Sequence, residues 1–306
     1  MRPTELVYSS HDRCEYLHRE WIVQRALESH DNKSILYLPM SSGARGDQEY
    51  SWGTFSGYFD RCRGWGLEPH VFFWDDDLSV ESARAFFDIL RGAQVVILGG
   101  GRTSTGMDRY RAMGGRFFDN PDAFVQTLRT RQAEGRLTAG FSAGADQLCQ
   151  YSCDGGEHSP ALFGLVRDVV VRLHYEASAE GHMHHLARRH PGCLCFGLPN
   201  DSGLASVTGR TAHGNEFQLL QAITDNSWDR PDDAHHIKTR MGVKVEHPYA
   251  DGRRWGFNGG DAILRVFYAG DAWEAWVKRP ELPFFYEYGS QNECRYTDVG
   301  QILWDR

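Results

Sequence analysis

Gly140-Phe141-Ser142-Ala143-Gly144 is the stretch of the 306-residue chain whose residue types and spacing point most directly to chemistry. A serine with glycines two positions away on either side is what a sharp strand-to-helix elbow demands, because the turn leaves no room there for a Cβ. The apolar run Leu137-Thr138-Ala139 leads in and Asp146-Gln147-Leu148-Cys149 leads out, which supplies the strand and the helix. In that setting Ser142 projects from the turn as a nucleophile for acyl transfer. The Ala143 N–H, in the first turn of the helix, points at any oxyanion formed beside it, aided by the helix dipole. Without its flanks the pattern is equally compatible with chance or with a glycine-rich turn that holds phosphate.

Other residues invite chemistry less directly. Gly99-Gly100-Gly101 follow the apolar run Ala93–Leu98, so bare backbone at a strand end is brought close to something. A phosphate cradle is disfavoured, because the run lacks both the Lys-Ser/Thr of a P-loop and the spacing of a dinucleotide fingerprint. Asp75-Asp76-Asp77 reads as a solvated cap at a strand end rather than a metal site. His182 and His185 could share a helix face with His184 and His190 nearby, but no carboxylate stands at matching spacing. No metal and no cofactor are therefore expected. Trp273–Trp276 and Phe284–Tyr288 read as core or interface aromatics.

The elements that must position these groups alternate. Strands are predicted at Glu5–Tyr8, Ser34–Pro39, His70–Trp74, Ala93–Leu98 and before the elbow, with helices at Arg19–Leu27, Tyr50–Cys62, from Ser79 through Leu90, and at Asp122–Glu134. Five repetitions of short apolar strand and helix argue for an α/β fold with a doubly wound, mostly parallel sheet, whose ligands sit at the carboxyl ends of the strands. Both the glycine run and Ser142 fall at such ends. Beyond the elbow come a β-rich run, Val166–Leu173, ending at His174, then a helix at Gly181–His190 and strands at Cys193–Phe196 and Leu204–Val207. From about residue 226 the character changes to hairpin strands, Gly242–His247 and Ala262–Tyr268, and an aromatic tail. The division expected is a catalytic domain over 1–225 and a β-rich extension over 226–306 packed on it, which leaves room for a homodimer.

Composition sets outer bounds. With 41% hydrophobic and 24% charged residues the chain is ordinary for a globular protein. A formal charge of −8 with no basic clustering argues against nucleic acid. Seven cysteines without paired spacing indicate neither a disulfide framework nor a zinc ribbon, and so a reducing compartment. No run approaches the roughly 18 apolar residues of a membrane span, and none near the start has signal-peptide character. The expectation is a cytoplasmic protein without membrane contact.

Four motifs in order, ILGGGRT (97–103), GFSAGADQL (140–148), RLHYEA (172–177) and GLPNDSGLA (197–205), resemble those of the dipeptidase E and cyanophycinase family of serine peptidases. That resemblance covers roughly residues 5–225 and implies a class I glutamine amidotransferase-like fold with serine where the amidotransferases use cysteine. It implies that Ser142 is the nucleophile and that His174, 32 residues later, is the general base. For the third member the family divides. Cyanophycinase-like members nominate Asp201, which we favour; dipeptidase E-like members nominate Glu157, with Asp154 nearby. A backbone N–H of Gly100 or Gly101 would complete the oxyanion hole opposite Ala143. Dipeptidase E-like enzymes grip an N-terminal aspartate with an arginine on the helix after the histidine, where this chain has His184, with Arg188 one turn on. A neutral imidazole is a poor substitute for a bidentate guanidinium, which argues against strict aspartate specificity.

The expected function is hydrolysis of an amide bond in a small peptide through an acyl-enzyme on Ser142. Two rivals remain: a hydrolase or acyl-transferase acting on a non-peptide amide or ester, and a non-catalytic binding protein on the same scaffold.

Overall fold

The computed structural model describes residues 2–11, 14–153, 161–225, 244–278, 284–290 and 292–306. Fourteen strands are found among them: β1 (Glu5–Tyr8), β2 (Ser34–Leu38), β3 (Glu68–Val71), β4 (Val95–Leu98), β5 (Leu137–Phe141), β6 (Val169–Leu173), β7 (Leu194–Leu198), β8 (Ser202–Arg210), β9 (Glu216–Thr224), β10 (Val245–Pro248), β11 (Arg254–Phe257), β12 (Ala262–Tyr268), β13 (Asp271–Lys278) and β14 (Phe284–Glu287). Ten of them form one sheet in the order β14-β13-β12-β9-β8-β1-β5-β4-β2-β3, and the other four a second sheet, β11-β10-β7-β6.

The large sheet is mixed rather than mostly parallel. Pairing is parallel from β3 to β1 and antiparallel from β1 through β8, β9, β12 and β13 to β14. The difference follows from connection length, since antiparallel neighbours need only a tight turn whereas parallel ones need a crossover. β8 and β9 are joined by the short loop between Arg210 and Glu216, and β12 and β13 by the turn between Tyr268 and Asp271. The expected boundary at 225 also looks different in three dimensions. β12–β14 continue the sheet edge that begins with β8 and β9, and β10–β11 extend the second sheet from β7, so the C-terminal strands are built into both sheets instead of lying on them.

Alternation along the parallel strands covers both faces of the sheet. Val7, Leu36, Leu38, Val96 and Leu98 meet Phe86, Leu90, Met113, Phe124 and Leu128 of the helices Val80–Gly92, Thr103–Phe118 and Ala123–Ala133. Leu6, Tyr8, Ile35, Tyr37, Val95 and Ile97 meet Phe55 and Phe59 of Arg45–Asp60 and the helical segment that begins at Glu15 and passes through a π-helical turn, His18–Val23. The second sheet packs on the first of these faces through Val169, Val171, Phe196 and Leu198. As expected from Ser79 and Ser82, the helix Val80–Gly92 is capped by Ser79 Oγ, which accepts from Ser82 N at 3.2 Å. Asp75 and Asp76 serve their own turn, accepting from Asp77 N and Trp74 Nε1.

At the end of the sheet away from the elbow, Glu5 of β1 lies between Thr138 and Ser206 and is buried. Burial raises its carboxyl to about 8, against the hydrogen bond from Thr4 Oγ1 that favours the charged form. The folded chain thus keeps a proton that the unfolded chain loses from about pH 4.5, so folding stability falls as pH rises between there and about 8. Glu5→Gln is expected to leave stability unchanged at pH 4 and to raise it by on the order of a few kcal/mol at pH 8.5. Urea titrations of both proteins at the two pH values check this, and parallel stability curves would refute it.

Candidate active site

β5 lies in the middle of the parallel set and every residue of it is buried. It stops at Ser142, which takes φ 49° and ψ −122° and caps the short helix Ala143–Leu148. A non-glycine residue rarely adopts positive φ, and here the packing imposes it. A Cβ on Gly140 would come within 2.4 Å of the Gly144 carbonyl oxygen, and one on Gly144 within 2.1 Å of the Leu98 carbonyl oxygen. The helix start is therefore pressed onto the ends of β5 and β4, and only glycine fits at those two positions. Ser142 N donates to Tyr8 O at 3.2 Å and Asp146 N to Ser142 O at 3.1 Å, which fixes the turn from both sides.

His174 reaches Ser142 from the second sheet. In the parallel ladder between β6 and β7 the even-numbered backbone groups of β6 face β7, as the bond from Leu194 N to Asp168 O shows. The ladder would next use His174 N, but Tyr175 N donates to Leu198 O instead, at 3.0 Å. His174 is thus an extra residue at the strand end, with φ 51°, and its own N–H donates to Ser9 Oγ at 2.7 Å. Such a bulge re-aims a side chain. The imidazole Nε2 stands 3.4 Å from Ser142 Oγ, and Nδ1 stands 2.6 Å from Asn200 Oδ1. Because an amide oxygen only accepts, Nδ1 carries a proton, and in the neutral imidazole Nε2 then presents its lone pair to the hydroxyl.

Asn200 was not anticipated; the expected partner was Asp201. β7 ends at Leu198, level with Leu173 of β6, and Pro199 opens a tight turn closed by Ser202 N donating to Pro199 O. Within that turn Asn200 faces His174, whereas Asp201 is wholly buried, its carbonyl accepting from Asp225 N at 2.7 Å. Glu157 and Asp154, the other acids considered, lie outside the described residues. Of the expected oxyanion groups, Gly101 and Ala143 line the cleft beside Ser142, and Gly100 lies just behind, where a Cβ would sit 3.3 Å from that of Ser142. The amides of a first helical turn have no intrahelical acceptor, so Ala143 N–H is available to a ligand.

The expected substrate-binding pair is elsewhere. His184 and Arg188 ride on the helix Glu180–Arg189 and are absent from the cleft lining; His184 Nδ1 meets Tyr249 O at 3.3 Å and its Nε2 lies 3.7 Å from Glu180. Helical phase accounts for this, since Met183, Leu186 and Ala187 take the inward face. His182 Nε2 contacts Cys153 O at 3.3 Å. Among the described residues no group of three or more potential ligand side chains is arranged to hold a metal.

The cleft around Ser142 and His174 measures about 740 Å³, within the range of small-molecule sites. Arg102 and Arg111 line it from the helix Thr103–Phe118 and its approach, and Arg172 from β6. Arg102 and Arg111 are exposed and have no ion pair among the described residues. Below the elbow Asp146 accepts from Thr103 Oγ1 at 2.9 Å and Ser152 Oγ at 2.7 Å. Gln147 Nε2 bonds Ser41 Oγ and Thr103 O, both at 3.0 Å. The arginine wall and this network went unread in the sequence.

No protein-family model matches this sequence, and no curated protein matches it. Among solved structures, the chain is similar to the crystal structure of a peptidase from an acI-B1 Actinobacterium, with 16% sequence identity, 84% of this chain and 95% of that chain covered, and a TM-score of 0.57. That likeness is one of fold: a mixed α/β architecture with a large sheet flanked by helices and a β-rich C-terminal region.

Proposed function

We propose that this protein is a serine hydrolase that cleaves an amide bond in a small peptide, in the manner of the dipeptidase E and cyanophycinase enzymes and on their doubly wound, amidotransferase-like scaffold. What carries the reading is the line from Ser142 Oγ through His174 to Asn200 Oδ1, at 3.4 Å and 2.6 Å, set on a strained elbow. The similar solved structure being a peptidase supports it.

In this mechanism Ser142 Oγ attacks the substrate carbonyl carbon as His174 Nε2 takes its proton. The carbonyl oxygen becomes an oxyanion held by the N–H groups of Ala143 and Gly101. Collapse of the adduct expels the amine, which receives the proton from His174, and leaves the acyl group on Ser142. Water activated by His174 then releases the acid. Asn200 acts as a positioning residue that keeps the imidazole in the tautomer with Nε2 free. The 3.4 Å separation is long for a hydroxyl–imidazole bond, and in this mechanism it shortens as the proton is transferred.

A second reading, a hydrolase or acyl-transferase of non-peptide amides or esters, is favoured by one observation. His184 and Arg188 lie away from the cleft, so the side of the site that would grip an N-terminal aspartate in dipeptidase E-like enzymes is not reproduced here. Seven free thiols among the described residues support a reducing, cytoplasmic setting, and no helix of the described residues is long and apolar enough to cross a membrane.

Ser142→Ala is expected to abolish labelling by an alkyl fluorophosphonate and to lower peptide hydrolysis by roughly 10⁴-fold or more, with the far-ultraviolet circular dichroism unchanged. Persistent labelling elsewhere with full activity would sink the assignment, and absence of labelling in the parent protein would favour the binding-protein rival. Ser142→Gly should be equally inactive yet melt higher than Ser142→Ala, because glycine removes a positive-φ penalty of about 1 kcal/mol or more. Asn200→Ala should lower kcat by roughly 10²- to 10⁴-fold with little change in KM. Asn200→Asp, which preserves the acceptor, should retain most of the rate; equal losses in the two variants would show that Asn200 does not position His174.

A further inference from the structure

β6 is the edge strand of the second sheet, and its free edge opens onto the cleft. Among the described residues it has one strand partner, β7, in the sheet order β11-β10-β7-β6. A cleft that touched only a face of a strand would be lined by alternate residues, since neighbouring side chains point to opposite faces. Here consecutive residues, Arg172, Leu173 and His174, line it. The cleft therefore abuts the edge.

The direction of the backbone groups is set by the ladder. Asp168 O accepts from Leu194 N, so the even-numbered residues of β6 face β7. Val169 O accepts from Gln150 N at 2.9 Å, on the opposite side, so the odd-numbered residues face outward. Gln150 thereby covers the edge at its N-terminal part. Leu173, two pleats further on, presents its N–H in the same outward direction, and no hydrogen bond joins it to a described residue outside the sheet. An unpaired strand edge is a template for another extended chain. This one ends one residue before the imidazole that meets Ser142.

We propose that the substrate binds as an extended peptide that adds a strand to β6, a backbone carbonyl of the peptide accepting from the N–H of Leu173. The inference rests on the serine hydrolase reading above and deepens it. The substrate class becomes oligopeptides with at least one further backbone amide beyond the scissile bond, in preference to free dipeptides or simple esters. The main-chain pairing supplies alignment without demanding a particular side chain. The scissile carbonyl is then held between β6 on one wall and Gly101-Arg102-Thr103 on the other, over Ser142.

The test compares rates of Ser142 modification in the full chain by three probes. These are an alkyl fluorophosphonate without any peptide amide, an acetyl-trialanyl diphenyl phosphonate, and versions of the latter N-methylated at one amide at a time. Methylation at one position is expected to slow labelling roughly five- to tenfold, the range for one lost hydrogen bond, while the other positions tolerate it. Equal rates for the methylated and unmethylated peptidyl probes would overturn the proposal. Failure of the alkyl fluorophosphonate to label Ser142 would remove the hydrolase reading itself, and the strand-addition proposal with it.

Discussion

The approach of the Gly144 backbone to the carbonyl end of β4 is the constraint on which the site depends. A Cβ there would sit 2.1 Å from Leu98 O, so the start of the helix Ala143–Leu148 rests directly on the sheet. With the helix held that close to β5 there is only one residue in which the chain can reverse, and Ser142 takes the left-handed conformation that results. The strain is local, of order 1–3 kcal/mol, and the large sheet supports it through buried β5 and the bond from Ser142 N to Tyr8 O. Exposure of the hydroxyl, availability of the Ala143 amide and proximity to the glycine run all follow from that one packing contact.

The groups facing Ser142 come from a different sheet. His174 and Asn200 follow the ends of β6 and β7, which are level because Leu173 pairs with Leu198. The second sheet is held on the first by Val169, Val171, Phe196 and Leu198 in the shared core, so the serine–imidazole distance is set by inter-sheet packing. Within the second sheet the geometry is tighter: the imidazole–amide contact of 2.6 Å bridges adjacent parallel strands in fixed register. The loosest link in the line is therefore the one that crosses between sheets.

Much of this was legible in sequence, for identifiable reasons. Glu5–Tyr8 and Ala262–Tyr268 have the predicted bounds because apolar runs bracketed by polar residues mark strands well. Ser142 is marked by its elbow motif and His174 by the family resemblance, and the two side chains stand 3.4 Å apart. The helix Thr103–Phe118 was missed: it carries Gly106, Gly114 and Gly115 and opens Thr-Ser-Thr, a composition that local propensity reads as loop, and its burial against the sheet overrides this. The C-terminal strands were recognised as β-rich, but pairing with β9 and β7 is a tertiary property that periodicity does not encode. Asn200 and Asp201 are one residue apart just past a strand end. There the alternation of the strand no longer predicts which side chain faces the site, and the choice fell on the carboxylate.

An amide in that place is consistent with the surroundings of the imidazole. In the mechanism proposed above a proton passes from Ser142 to His174, and a buried imidazolium would need a carboxylate to offset its desolvation. His174 is exposed to solvent at the mouth of the cleft, so water meets most of that cost and the partner has only to hold the ring. Asn200, itself nearly buried at 7% exposure, would on the same reasoning be an expensive site for a permanent charge. On the proposed reading an exposed imidazole is thus held by a nearly buried, neutral acceptor. Beneath the elbow the carboxyl group of Asp146 accepts from the hydroxyls of Thr103 and Ser152. Placed there, it ties the helix Thr103–Phe118, which carries Arg111, to the helix that begins after Ser142.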